Sequence, residues 1–274
     1  LEFRRVLFRS DPDADAVPSM VDRMRSHGRD VSVVDPAALA ERFPVAADDL
    51  AVAAVAAGAG WCDPGSYVAA MGDRARREGV AVETGTAVSL AGDGPGLRTE
   101  PGGNSDEAAD GSAERREFDA VVVAAGAHTS GVLADAGVAV PVVPYRVQAL
   151  TSGVPYDGPM VYDATAGVYL RPHPTGLLAG DGTEPVPADP DGYDREGDDW
   201  FVESVSATLG ERIDAVSDGG PEVERAWAGL CTATPDGDPL VGPVGGDGGG
   251  ASGGGLFVAA GWQGHGFMRA PAIG

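Results

Sequence analysis

The chain has 274 residues, enough for one large domain or two interleaved ones with a substantial core. Apolar residues make up 43%, an ordinary globular share, but 42 acidic against 19 basic side chains leave a net charge of −23, and every basic residue is arginine. Such a surface keeps a protein soluble and argues against a nucleic-acid partner, which needs clustered cations. The two cysteines, Cys62 and Cys231, form no CxxC pair. That argues against a disulfide framework or a zinc site and points to a reducing cytoplasm, and no metal is expected. No apolar run reaches the ~18 residues of a membrane span.

The opening decamer, LEFRRVLFRS, carries three arginines and five large apolar residues ahead of an acidic, alanine-rich chain. It lacks the long apolar core of a signal peptide, reads as a non-native scar, and is expected to stand outside the fold. Next, Asp35-Pro36 before AALAERF marks a helix start, with Asp35 as cap. Residues 50–62 read as a strand entering Asp63-Pro64-Gly65. In SYVAAMGDRARREGV, residues Tyr67, Val68, Met71 and Ala75 share one helical face, and Gly79 stops the helix before the strand VAVETGTAVSL. Residues 63–90 thus form a helix-then-strand unit.

Residues 91–117 are rich in Gly, Asp, Ser and Glu and predict a long exposed hairpin or partly disordered loop. FDAVVVAAGA is a continuous apolar run, the pattern of a parallel strand buried on both faces, ending at Gly126. Residues 140–185 alternate with turn signals and predict antiparallel strands. Residues 198–215 predict an amphipathic helix with Trp200, Val202, Val205 and Leu209 as its apolar positions. A glycine-rich loop at 245–255 precedes a second buried strand, GLFVAAG, and a helix begins at GHGFMRAPAIG.

VVVAAGA (121–127) and LFVAAG (256–261) are each an apolar strand ending in small residues, and open α/β sheets bind ligands beyond such ends. Either by itself reads equally well as a core strand with a tight turn. The segment from Gly261 is more specific: Gly264 and Gly266 flank His265 where a helix begins. Small residues let backbone N–H groups at a helix start face an anionic group. GASGG at 250–254 fits G-x-S-x-G, but it lies in a glycine tract and not on a strand-to-helix elbow.

Four segments in order resemble the D-amino-acid oxidase family of flavoproteins, which includes glycine and sarcosine oxidases and related dehydrogenases. They are GWCDPGSYVAAMGDRARREGVAVETGTAV, FDAVVVAAGAHTSGVLADAGVAVPVVPYRVQAL, ERAWAGLCTATPDGDPLVGP and GLFVAAGWQGHGFMRAPAIG. The resemblance implies a mixed α/β fold, in which a partial Rossmann-like FAD-binding domain is interleaved with an antiparallel-sheet substrate domain. After the scar at 1–10, substrate-domain pieces are expected at 11–62 and 136–226, and FAD-binding pieces at 63–135 and 227–274. It further implies that Val88 binds adenine through its backbone and that Ala125 and Gly126 line the dinucleotide. Gly261, Trp262, Gln263, Gly264, His265, Gly266, Phe267 and Met268 would wrap the flavin ring.

Departures from the family pattern narrow this. The opening strand-GxGxxG-helix unit is not in the sequence, which reads as cut at both ends. Cys231 stands where glycine oxidase and D-amino-acid oxidase place a carboxylate-binding arginine. Met268 stands where monomeric sarcosine oxidase has lysine. That enzyme's flavin-linking cysteine aligns with Gly229, so the FAD is expected to be non-covalent. Arg171, beside Tyr169 in VYLRP, is the remaining candidate for a substrate carboxylate, because a guanidinium binds carboxylate bidentately. Arg146 reads as structural, and no catalytic base is assigned. The expected activity is hydride transfer from the C–N carbon of a small amine or amino acid to flavin, with an electron acceptor or a partner subunit as the further partner. The rival expectation is a non-catalytic subunit that keeps the fold for binding or assembly.

Overall fold

The structure is a computed structural model and describes residues 5–9, 13–92, 95–101, 113–216, 219–244 and 255–273. The chain divides into two compact units, one made of residues 1–62, 147–184 and 194–229, the other of residues 63–146, 185–193 and 230–274.

In chain order the first unit begins with β1 (Arg5–Arg9), α1 (Ala16–Ser26), β2 (Val31–Val34), α2 (Pro36–Arg42) and β3 (Val52–Ala56). The second contributes α3 (Pro64–Arg77), β4 (Thr86–Leu90), β5 (Gly96–Pro101), β6 (Glu114–Glu117), β7 (Val121–Val123) and α4 (Thr129–Ala134). Strand β8 (Val143–Ser152) runs from the second unit into the first, which continues with β9 (Met160–Asp163), β10 (Val168–His173), β11 (Gly176–Asp181) and α5 (Asp199–Arg212). Strand β12 (Val223–Ala233) leads back, and β13 (Leu240–Pro243), β14 (Leu256–Ala260) and α6 (Gly266–Ile273) close the second unit.

The first unit is built on an eight-stranded sheet of order β12-β8-β11-β10-β9-β1-β3-β2. Strands β8 to β11 pair antiparallel, as their alternation predicted. One face packs Leu150, Val161, Leu170, Leu177 and Ala179 against Phe201, Val205 and Leu209 of α5 and Leu39 of α2. On β3, Ala54 turns the opposite way, to Val17 and Val21 of α1. Residues 5–9 of the opening decamer, set aside from the fold on composition, pair as β1 between β3 (antiparallel) and β9 (parallel), so this stretch is part of the sheet. Two flanking strands offer unpaired N–H and C=O rows, and an apolar extended segment fills that gap.

Helix starts follow local chemistry. Asp35 Oδ1 accepts from Ala37 N at 2.9 Å with Pro36 in the first turn, and Asp63 Oδ1 accepts from Ser66 N at 2.8 Å with Pro64 likewise. The apolar stripe of α5 differs from expectation. Phe201, not Trp200, is fully buried, and Trp200 is half exposed with its Nε1 donating to Asp198 Oδ2 at 3.0 Å. A ring with a polar N–H beside the carboxylate at the helix start stays at the surface, and the phenyl ring takes the core.

In the second unit, β4, β5 and β6 form an antiparallel sheet. Of the two readings of 91–117, a long hairpin or a partly disordered loop, the described residues form the hairpin, as β5 and β6, while residues 93–94 and 102–112 lie outside the described part. Leu97 and Thr99 alternate inward, and Arg116 bridges Glu83 and Glu114. The sheet β13-β14-β7 has β14 and β7 parallel. Val121, Val123, Leu256, Val258 and Ala260 form its core with Leu133 of α4. Burial of β7 on both faces is not met, since Val122 is 62% exposed. Helix α3 buries no residue, and its Val68 and Met71 are exposed.

A charge cluster, with Arg212 and Asp163 buried and Asp49 exposed, pins the first unit. Arg212, at the end of α5, donates from Nε to Asp163 Oδ2 at 2.6 Å, from Nη2 to Asp49 Oδ2 at 2.8 Å, and from Nη1 to Asp49 Oδ1. Asp163 Oδ1 accepts from the N–H groups of Thr165 and Ala166 in the β9–β10 turn. Breaking a buried pair leaves an uncompensated charge. Arg212→Met is expected to cost about 3–5 kcal/mol, read as a fall in Tm of roughly 10 °C by calorimetry.

Arg212 also holds the Asp49 carboxyl below its ordinary value of 3.8. A depressed carboxylate stabilises the fold above its unfolded value, and that contribution is lost as pH falls through its folded value. Asp49→Asn should therefore be less stable than the parent at neutral pH. The gap should close in urea titrations run from about pH 5 downward.

Candidate flavin-contact site

Strand β14 ends at the buried Ala260, and the chain turns through Gly261 with φ of +78°. A side chain there would run into the Thr234 methyl, so only glycine fits. Two residues later Gln263 takes φ of +52°, unusual for a non-glycine, and Gly264 follows at +74°. Gln263 N donates to Thr232 O at 2.9 Å, and Gln263 Nε2 donates to Thr234 Oγ1 at 3.0 Å. Thr234 Oγ1 in turn donates to Asp238 O at 2.7 Å. Both ends of Gln263 are thus tied to the end of β12 and the turn after it, which offsets the backbone strain.

Beyond the turn, His265 N donates to Trp262 O at 2.8 Å, and Arg269 N donates to His265 O at 3.1 Å, the first bond of α6. Helical geometry leaves the N–H groups of Gly266, Phe267 and Met268 without intrahelical acceptors. Trp262 packs its Cβ and Cγ against Gly266, 3.1 Å from where a Cβ would stand. His265, Phe267 and Met268 are exposed, and Phe267 stands edge-on to Tyr67 of α3, with ring centroids 5.3 Å apart.

Strand β7, parallel to β14, ends in the same way. Ala125 is followed by Gly126 at φ of +55°, with open space where a Cβ would stand. The parallel pair therefore brings Ala125, Gly126 and the segment from Gly261 to Met268 to one sheet end. Val88 lies on β4, the edge strand of the neighbouring three-stranded sheet, where an edge presents backbone groups to a ligand. In the first unit, Tyr169 and Arg171 share the face of β10 that points away from the core. The Tyr169 ring lies over Gly180, where any side chain would collide with it. The Arg171 guanidinium stacks over Trp61 at 5.0 Å and donates to Pro172 O at 3.0 Å. Among the described residues no group of three or more His, Cys, Asp or Glu could hold a metal ion, and no helix is long and apolar enough to cross a membrane.

Sequence reasoning missed three participants. Thr232 and Thr234 hold the turn, and Tyr145 meets it with its hydroxyl. The block CTATPDGDP carries both threonines and could have pointed to them.

The model described as FAD dependent oxidoreductase matches residues 3–274. The chain belongs to that family. It is 31% identical over 155 residues to a glycine oxidase of Pseudomonas aeruginosa, covering 56% of this chain and 39% of that protein. It is 28% identical over 247 residues to a D-amino acid dehydrogenase of Xanthobacter autotrophicus, covering 87% of this chain and 55% of that protein. The chain thus spans less than two thirds of either curated relative. Among solved structures, an L-proline dehydrogenase from P. horikoshii matches all of this chain and 70% of its own, with a TM-score of 0.79 at 22% identity. A glycine oxidase from Geobacillus kaustophilus matches all of this chain and 69% of its own, with a TM-score of 0.76 at 22% identity. These likenesses confirm the mixed α/β flavoprotein fold.

The residues present fit a flavin. An open glycine turn and three outward backbone N–H donors at a helix start suit the anionic edge of a planar ring. Gly261→Ala should lower Tm by several degrees, for a cost of roughly 1–3 kcal/mol. Gln263→Ala should lower it less and should weaken FAD binding in a fluorescence titration.

Proposed function

We propose that this protein is an FAD-dependent oxidoreductase that oxidises the C–N bond of a small amine or amino acid of the glycine, sarcosine or D-amino-acid kind. One observation carries the reading: in a chain of this family, the β14–α6 turn passes through left-handed backbone at Gly261, Gln263 and Gly264 into a helix start whose first N–H groups, at Gly266, Phe267 and Met268, have no intrahelical acceptors. The named relatives, a glycine oxidase and a D-amino acid dehydrogenase, support the substrate class. The alternative of a non-catalytic subunit finds no support among them.

When bound, FAD would supply a two-electron (hydride) acceptor for oxidation of the substrate's C–N bond. The protein's part is to orient the reactants and to stabilise charge. The three N–H groups and the dipole of α6 would stabilise negative charge developing at the pyrimidine edge of the ring. Ala125 and Gly126 would let the dinucleotide approach the backbone, and the outward groups of β4 at Val88 would meet the adenine. Arg171, its guanidinium plane fixed by Trp61, would take a substrate carboxylate, with Tyr169 beside it. No side chain is assigned as a base, because loss of hydride from a neutral amine needs none. The chain offers no cysteine at Gly229 for a flavin linkage, so the cofactor would be held non-covalently. A cytoplasmic setting and a separate electron acceptor complete the reading.

The test is titration of the purified protein with FAD, followed by anaerobic addition of glycine, sarcosine, D-alanine and L-proline in turn. Saturable binding of one FAD per chain, with bleaching of the flavin band by at least one of these amines, is expected. Absence of saturable binding would overturn the proposal, and binding without bleaching by any amine would overturn the substrate class. Repeating turnover with oxygen and with a dye acceptor separates oxidase from dehydrogenase.

A further inference from the structure

Helix α5 covers the core of the first unit, and its two sides differ in chemistry. Phe201, Val205 and Leu209 are buried against the sheet. The solvent side holds Asp199, Glu203 and Glu211, all exposed, and the exposed Asp214 follows just beyond the helix. The one basic residue of α5 is Arg212, and its guanidinium is turned to Asp49 and Asp163. No cation of the helix itself therefore stands among the outer carboxylates. Asp199 and Glu203 are four residues apart, which sets like charges one turn from each other and works against the helix. Glu211 lies in the last turn, where the negative end of the helix dipole disfavours a carboxylate.

The imbalance on α5 is that of the whole chain. The first unit holds 24 acidic residues against 11 arginines, and the second holds 18 against 8. Neither unit supplies a surplus of cations to offset the other. Self-repulsion of this kind opposes the compact state, and dissolved salt sets its reach. The screening length is about 10 Å at 0.1 M salt and about 3 Å at 1 M, which is less than the roughly 5–6 Å between side chains one helical turn apart. The buried contact of Arg212 with Asp163 is screened much less. Salt thus removes the repulsion and leaves the attraction that ties α5 to its sheet.

We propose that the stability of this fold depends on ionic strength, with monovalent salt near molar concentration screening the acidic side of α5 and the surplus charge of both units. The effect is diffuse and calls for no bound ion, so sodium and potassium should serve alike.

The test is calorimetry of the full chain across a KCl series. Tm should rise by about 10 °C or more between about 0.05 M and about 2 M KCl. The double variant Glu203→Gln with Glu211→Gln changes only exposed carboxylates. It should melt about 2 °C or more above the parent at the low salt and together with the parent at the high salt. Glu203→Lys, which sets a cation four residues after Asp199, should melt higher still at low salt. A parent Tm that does not move with KCl would overturn the proposal. A rise that the double variant shares in full, with no gap at low salt, would assign the effect to strengthened apolar burial and would overturn the charge argument.

Discussion

The segment on which the proposed chemistry depends is held by a single glutamine. Gln263 sits in the left-handed region, which costs a non-glycine residue of order 1–3 kcal/mol. Its backbone N–H and its amide are both hydrogen-bonded, to Thr232 and to Thr234. The same Thr234 presses its methyl group against Gly261, so one threonine sets two of the turn's backbone angles. Glycine at 261 and 264 supplies the freedom, and the threonine–glutamine pair removes it. A preorganised helix start results, with N–H donors already aimed before a ligand arrives.

The first unit is organised differently. Its mixed, mostly antiparallel sheet buries an apolar face under α5, and the C-terminal end of that helix is fixed by charge. Arg212 ties the helix to the β9–β10 turn through Asp163 and to the loop before β3 through Asp49. Such a cluster contributes specificity more than net stability, since its desolvation is costly. It fixes the register of β10, the strand that carries Tyr169 and Arg171. The face proposed to meet substrate is thus set by groups on the opposite side of the same sheet.

Features with strong local chemistry were legible in the sequence. The Asp-Pro helix starts at 35 and 63, the antiparallel run through 140–185 and the strand–turn–helix at the C-terminal end all stand where composition and periodicity place them. What failed depended on non-local partners. Residues 5–9 join the sheet between β3 and β9, which no local pattern reveals. Residues 96–101 and 114–117, by contrast, form the hairpin that was one of the two readings of 91–117, and Leu97 and Thr99 decide between them by turning inward. Trp200 and Phe201 exchanged roles because the Asp198 carboxylate accepts from the indole N–H at the surface. At the candidate site, the glycines announced themselves, whereas Thr232, Thr234 and Tyr145 enter only through tertiary contact.

If the segment from Gly261 to Met268 receives the flavin ring through its backbone, its amides gain an acceptor when FAD binds. Hydrogen–deuterium exchange of the amides of Gly264, Gly266, Phe267 and Met268, read with and without saturating FAD, tests this most directly. Slowing by about tenfold or more is expected at these amides, with little change in α1 or α2. Saturable FAD binding with unchanged exchange at all four amides would contradict it.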